Sequence, residues 1–204
     1  MDRSDDELFA AWRAGNAAAG DTLVRRHYPS VLRFFEYRTG QAAEDLAQKT
    51  LAACAEGLGR FRGEGTFVAF LFGIARRQLL NHHRNRINRE DRSRLDAPQE
   101  PLAKTGLSTI IARRDEQRLL MQALVSLPEE LQTALVLFYW QGLKAREIGL
   151  ALDCPTSTAT TRIARARTVL REAIDTFGGS GSARQRLVAD VDGWLRSVVA
   201  PLSG

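Results

Sequence analysis

Lys144-Ala-Arg-Glu-Ile-Gly-Leu-Ala-Leu152, Asp153-Cys154-Pro155 and Thr156-Ser-Thr-Ala-Thr-Thr-Arg-Ile-Ala-Arg-Ala-Arg167 have the lengths of a helix, a tight turn and a second helix. In the second helix Ala159, Ile163, Ala166 and Leu170 recur at helical spacing and mark a buried stripe. At about 100° per residue, the opposite face carries Ser157, Thr161, Arg165 and Thr168, flanked by Arg162, Arg167 and Arg171. Hydroxyls and an arginine on such a face can meet base edges in a major groove while flanking arginines bind phosphates. A solvated basic surface helix is the plainer alternative. Against it stands the preceding segment: Ser126-Leu127-Pro128-Glu129 starts a helix whose Leu135, Leu137 and Phe138 offer apolar surface, and Gly142-Leu143 makes a bend.

Outward from this pair, the second half reads as helices over 107–124, 128–140, 144–152 and 156–176. A Gly-Ser joint follows at 178–182, then a last helix over 184–199 with Leu187, Val188, Val191, Trp194, Leu195 and Val198 on one face. That helix either covers apolar surface of the second domain or serves a regulatory contact through Trp194. Residues 92–105 hold Pro98 and Pro101 and no apolar period, which marks a linker.

The first half is also helical. Ser4-x-x-Glu7 has capping-box spacing, so a helix begins near Asp5 and ends at Gly15-Asn16. Residues 21–39 place Leu23, His27, Val31, Phe34 and Phe35 on one side. Residues 42–58 turn Leu46, Thr50, Ala53 and Leu58 inward and Glu44, Asp45, Gln48 and Lys49 to solvent. Residues 59–65 form a glycine-punctuated loop. Phe67, Phe70, Leu71, Ile74 and Gln78 then line one side of a long helix that grows basic towards Arg89.

The chain of 204 residues carries a formal net charge of +5 and a pI near 9.7, which favours a polyanionic partner. The charge is concentrated: residues 60–94 hold nine arginines and three acids, a net +6. No apolar run is long enough for a membrane span and the N-terminus is acidic, so a cytoplasmic protein is expected. Cys54 and Cys154 lack metal-site spacing and read as buried thiols. His82-His83 is the only hint of metal or acid-base chemistry. Neighbouring helical residues diverge by about 100° and no carboxylate completes a ligand set, so no metal, cofactor or catalytic residue is expected.

Two segments resemble one family, the extracytoplasmic-function branch of sigma-70 factors. Leu127-Pro128, Gly142-Leu143, Glu147-Ile148, Cys154-Pro155 and Thr161-Arg-Ile-Ala-Arg-Ala-Arg167 are similar to its region 4. Ala43-Glu-Asp-Leu-Ala-Gln-Lys-Thr50 and Phe70-Leu-Phe-Gly-Ile-Ala-Arg76 are similar to its region 2. The resemblance covers nearly all of 5–175. It implies an all-α chain with a region 2 domain over 1–91, a linker over 92–106, a helix-turn-helix domain over 107–177 and an extension over 178–204.

The resemblance also implies roles. Region 4 reads the minus-thirty-five element and rests on the polymerase beta flap, with Ser157, Thr160, Thr161, Arg162, Arg165 and Arg167 meeting DNA. Region 2 docks on the beta-prime clamp helices through Glu44, Asp45, Gln48 and Lys49 and opens the minus-ten element. Arg60, Phe61 and Arg62 would capture a flipped base, with Arg76, Arg77, Arg84 and Arg86 holding the backbone. Phe61 has a second reading, as a cap on the core. Core RNA polymerase, promoter DNA and, by family habit, an anti-sigma factor are the implied partners. Ala42, Lys49, Leu51, Phe70, Ser157 and Thr160 depart from common family residues, so relatives do not give the promoter sequence. A conventional helix-turn-helix repressor or activator with a helical sensing domain is the alternative; it leaves the acidic helix, glycine loop and arginine-rich helix without a purpose.

Overall fold

The structure, a computed structural model, describes residues 3–61, 63–93, 115–178 and 181–197. Every regular element among them is helical, and the chain divides into two compact units, Met1–Gly106 and Leu107–Gly204. No helix among the described residues is long and apolar enough to cross a membrane. The expected linker at 92–106 lies almost wholly outside the described residues.

In the first unit α1 (Asp5–Arg13) is closed by the expected capping box: Ser4 N–H donates to Glu7 Oε2 at 2.8 Å, and Glu7 N–H donates to Ser4 Oγ at 3.3 Å. Helix α2 (Ala17–Thr39) starts four residues before the expected Asp21. Asn16 is both the stop of one helix and the cap of the next, because its Oδ1 accepts the Ala19 N–H at 3.1 Å. Gly20 lies against Trp12, whose ring would stand 2.4 Å from an added Cβ. A 3₁₀ turn at Gly40–Ala42 leads into α3 (Ala43–Glu56), and another at Leu58–Arg60 leads towards α4 (Phe67–Ser93), which at 1.5 Å per residue is about 40 Å long.

The core of this unit joins Leu8 and Phe9 of α1, Leu23, Val31, Phe34 and Phe35 of α2, Leu46, Ala47, Thr50 and Leu51 of α3, and Phe67, Leu71, Phe72 and Leu79 of α4. Each fully buried phenylalanine contributes roughly 2 kcal/mol by removal from water. The buried sector of α4 is rotated from the expected one. Phe72, Ala75 and Leu79 are buried, whereas Phe70, Ile74 and Gln78 are only half-buried. Helix α4 packs against α1, α2 and α3 together, so its inward face is wider than one stripe. Likewise Ala53 of α3 and Leu58 of the turn after it are half-buried, and Leu51 and Cys54 take the deep positions. Burial alone pushes the Cys54 thiol up to about 12. Cys154 is only half-buried, since it sits in the surface turn of the helix pair.

The second unit contains α5 (Asp115–Ser126), α6 (Glu129–Tyr139), α7 (Ala145–Leu152), α8 (Thr156–Gly178), α9 (Ser182–Ala189) and α10 (Val191–Ser197). The buried Gln132 of α6 staples the end of α5 by donating from Nε2 to the Leu124 carbonyl at 3.0 Å. The expected last helix over 184–199 is two helices, and Val198 lies outside the described residues. Asp190 breaks it: its backbone leaves the helical region (φ −143°, ψ 62°), and its Oδ1 accepts the Gly193 N–H at 2.8 Å, capping α10.

Candidate nucleic-acid interface

The α7–α8 turn is built from the backbone. Asp153 closes α7 in the left-handed region (φ 53°, ψ 51°), Cys154 N–H donates to the Gly149 carbonyl at 2.9 Å, and Pro155 precedes the first turn of α8. Gly149 is required there: an added Cβ would stand 2.8 Å from the Cys154 carbonyl oxygen, a backbone atom with little room to yield. At the other end of α7, Lys144 N–H donates to Glu147 Oε2 at 2.8 Å.

Helix α8 buries Ala159, Ile163, Ala166 and Leu170, with Ile174 extending the stripe. Ser157, Thr160, Thr161, Arg165, Thr168 and Arg171 are exposed. The hydroxyls of Thr160 and Thr161 donate to the carbonyls of Thr156 and Ser157 at 3.0 Å. This fixes their rotamers and leaves oxygen lone pairs facing outward. Lys144, the cap residue of α7, and Arg146 on its first turn are exposed and join this surface. Sequence reasoning passed over them because they add nothing to the helical period, although the first helix of such a pair crosses the backbone.

Arg162 and Arg167 are placed differently from Arg165. They occupy the two flanks of the buried stripe, and both turn towards α6. Arg162 Nη2 meets Glu130 Oε2 at 2.6 Å with its side chain 23% exposed. Arg167 Nε donates to the Tyr139 hydroxyl at 2.7 Å, lies 3.5 Å from Asp192 Oδ1, and its guanidinium spans the Phe138 and Tyr139 rings at 5.2 and 5.4 Å. Burial, and then a hydrogen bond to Asp192, holds the Tyr139 phenol above its ordinary range. Two of the six residues assigned to upstream DNA thus brace the helix against its neighbours.

In the first unit Arg77 and Arg84 are exposed, and Asn81, Asn85 and Asn88 share their face at helical spacing. The asparagines escaped sequence reasoning, which followed charge; their i, i+4, i+7 spacing was the available signal. Arg76 and Arg86 are half-buried, and the Arg76 Nε is buried without a hydrogen-bond partner. His82 and His83 stand with ring centroids 5.8 Å apart.

Phe61 packs as a cap on the core. Its ring meets Phe9 edge-on at 4.8 Å and Phe70 at 5.3 Å, with the Arg13 guanidinium 5.4 Å from its centroid. Gly63 and Gly65 then turn the loop through left-handed conformations (φ 83° and 82°). Arg62, and the side chain of Arg60, lie outside the described residues. On α3, Glu44, Asp45, Gln48 and Lys49 are all exposed, with Lys49 Nζ paired to Asp45 Oδ2 at 2.6 Å along the helix. That pair partly neutralises the acidic face.

Comparison with known proteins gives both units the same affiliation. The family described as Sigma-70 region 2 matches residues 23–88, and the family described as Sigma-70, region 4 matches residues 117–170. The RNA polymerase sigma-H factor of Pseudomonas aeruginosa is 29% identical over 182 residues, covering 83% of this chain and 93% of that one. The ECF RNA polymerase sigma-E factor of Escherichia coli K12 is 27% identical over 181 residues, covering 84% and 93%. Two solved structures share the fold. The sigma factor RpoE of Bartonella quintana, in complex with the anti-sigma factor NepR, has a TM-score of 0.60 at 21% identity, covering 76% of this chain and 96% of that one. CnrH, in complex with the cytosolic domain of CnrY, has a TM-score of 0.59 at 22% identity, covering 84% and 97%. With both regions matched in order and full-length relatives of one kind, this chain belongs to the sigma-70 family of RNA polymerase sigma factors, in its extracytoplasmic-function branch.

Proposed function

We propose that this sigma factor reads the upstream promoter element with the exposed face of α8 and holds the opened minus-ten strand along the Arg77–Arg84 face of α4. The observation that carries this division is the contrast on α8 between exposed Ser157, Thr160, Thr161 and Arg165 and tethered Arg162 and Arg167. The first set meets base edges; the second keeps the helix rigid enough to do so. Lys144, Arg146 and Arg171 supply phosphate contacts.

On α4, Arg77 and Arg84 neutralise backbone charge, and Asn81, Asn85 and Asn88 offer both donors and acceptors to an unpaired strand. Arg76 and Arg86 line the flank of this face. Arg60, Phe61 and Arg62 open the capture loop, in which Phe61 anchors the base of the loop on the core so that the following glycines present backbone to a flipped base. Glu44, Asp45 and Gln48, with Lys49 tempering their charge, offer a carboxylate-bearing helix to the basic clamp helices of the beta-prime subunit. The working modules are 1–91 and 107–177, joined by 92–106. The protein acts by binding in the cytoplasm and leaves the chemistry to polymerase. An anti-sigma factor is its expected restraint, by analogy with the complexes of RpoE and CnrH.

The test is run-off transcription with core polymerase over a promoter library. Initiation should depend on the protein, Arg165→Ala should relax upstream sequence preference, and Arg77→Ala with Arg84→Ala should impair opening. Tight, specific duplex binding by the free chain, with no initiation at any promoter, would favour a repressor instead.

A further inference from the structure

The extension beyond the region 4 match, which ends at residue 170, is fastened to three helices of the second unit. Leu187, Val191 and Leu195 are buried. Arg186 Nε donates to Glu116 Oε1 of α5 at 2.8 Å, the Trp140 indole N–H at the end of α6 donates to the Leu195 carbonyl at 2.9 Å, and Arg184 Nε donates to Asp175 Oδ1 of α8 at 2.7 Å. A further contact differs in kind. The Tyr139 hydroxyl donates its proton to Asp192 Oδ1 of α10 and accepts from Arg167 Nε of α8, so a single side chain of α6 relays between the extension and the recognition helix.

We propose that Asp192 is a positioning residue for upstream-element recognition, acting through Tyr139 on Arg167. This rests on the reading of α8 given above. Arg167 is a cation two-thirds withdrawn from water, and within the network Asp192 is its counter-charge. The carboxylate also fixes the direction of the Tyr139 hydroxyl, because a hydroxyl that donates to Asp192 must turn a lone pair to Arg167. Without Asp192 the hydroxyl loses the acceptor that sets its direction, and the guanidinium loses the one carboxylate beside it among the described residues. The Arg162–Glu130 ion pair still ties α8 to α6 nearer its start, at the base-reading end. The buried stripe seats α8 in the unit, and the two polar tethers on its flanks set the fine angle at which its outer face meets the groove. The C-terminal extension is therefore part of the DNA-reading unit and not merely its cover.

The experiment uses the full chain with core polymerase and two templates selected from the promoter library: an intact promoter and one with its upstream element scrambled. Asp192→Ala should lower the ratio of initiation between them about fivefold, Asp192→Glu should restore most of it, and initiation on a pre-melted template lacking the upstream element should stay unchanged. Arg167→Ala should match Asp192→Ala, and the double variant should lose no more than either alone. Because Arg167 is read as a brace, its loss should leave the salt dependence of promoter binding unchanged, whereas removing a direct phosphate contact lowers the slope by about one.

An unchanged ratio in Asp192→Ala, or a reduced slope in Arg167→Ala, overturns the proposal. So does a loss of ratio that merely tracks a loss of folded protein by circular dichroism and is not rescued by Asp192→Glu. Arg165→Ala separates the two levels of argument: if it too leaves the ratio unchanged, the reading of α8 fails; if it lowers the ratio while Asp192→Ala does not, only the role of Asp192 fails.

Discussion

The two helices proposed to meet DNA use arginine in opposite ways. On α8, Arg162 and Arg167 are tied back to α6 and α10, and Arg165 carries the outward charge among hydroxyls. On α4, Arg77 and Arg84 are exposed along a face shared with asparagines. A duplex groove presents fixed edges, so its reader gains from a rigid helix with few well-placed side chains. A separated strand is flexible and sequence-tolerant in its backbone, so its holder gains from a longer line of cations and amides. Arginine count alone therefore overstates the cations free to face outward in the second unit.

The sharpest way to break the comparison is to remove rigidity from the α7–α8 turn. Gly149→Ala places a Cβ against the Cys154 carbonyl and should destabilise the second unit by roughly 2–3 kcal/mol, abolishing upstream recognition. Gly20→Ala should cost the first unit less, because Trp12 is a side chain able to shift. Thermal unfolding of both variants measures the difference; equal losses would mean the turn is not the tighter site.

Phe61→Ala should come next, lowering the stability of the first unit by about 2 kcal/mol through lost contact with Phe9 and Phe70. Chemical denaturation separates this from a role in strand capture alone, which would leave stability intact and impair only opening. Arg165→Ala should cost about tenfold in discrimination at the base pair it reads, while Arg77→Ala should weaken binding at all promoters alike and lower the salt slope by about one. Competition binding at several salt concentrations distinguishes the two patterns.

The smallest effect lies at the α1 cap. The Ser4 backbone N–H, and then its hydroxyl, hold the Glu7 carboxyl below the usual carboxylate range. A lowered folded value means that the stabilisation is present above the ordinary value of 4.5 and is lost as pH falls through the folded one. The protection of the first-turn amides of α1, taken relative to their intrinsic exchange rates, should fall on acidification, and in Ser4→Ala it should be low and nearly independent of this titration.

Much of this was legible in the chain itself. The capping box at Ser4, the stripe of Ala159, Ile163, Ala166 and Leu170, and the exposed set Glu44, Asp45 and Gln48 follow from spacing, because helical period and cap chemistry are local. The motifs of both regions led to the family. Elsewhere local pattern was insufficient: Asn16 served two helices, Asp190 split a helix whose apolar period ran straight through it, and α4 rotated its buried sector to meet three neighbours.

The sequence by itself determined an all-α chain with a helix-turn-helix and a concentrated basic segment, since these depend on residues close together along the chain. Only the tertiary structure decided which arginines face outward, because that depends on partners far away in sequence: Glu130 for Arg162, Tyr139 and Asp192 for Arg167, and Phe9 for the ring of Phe61. A side chain on the flank of a helix is poised between solvent and neighbour, and the partner that folding brings within hydrogen-bond reach settles the matter.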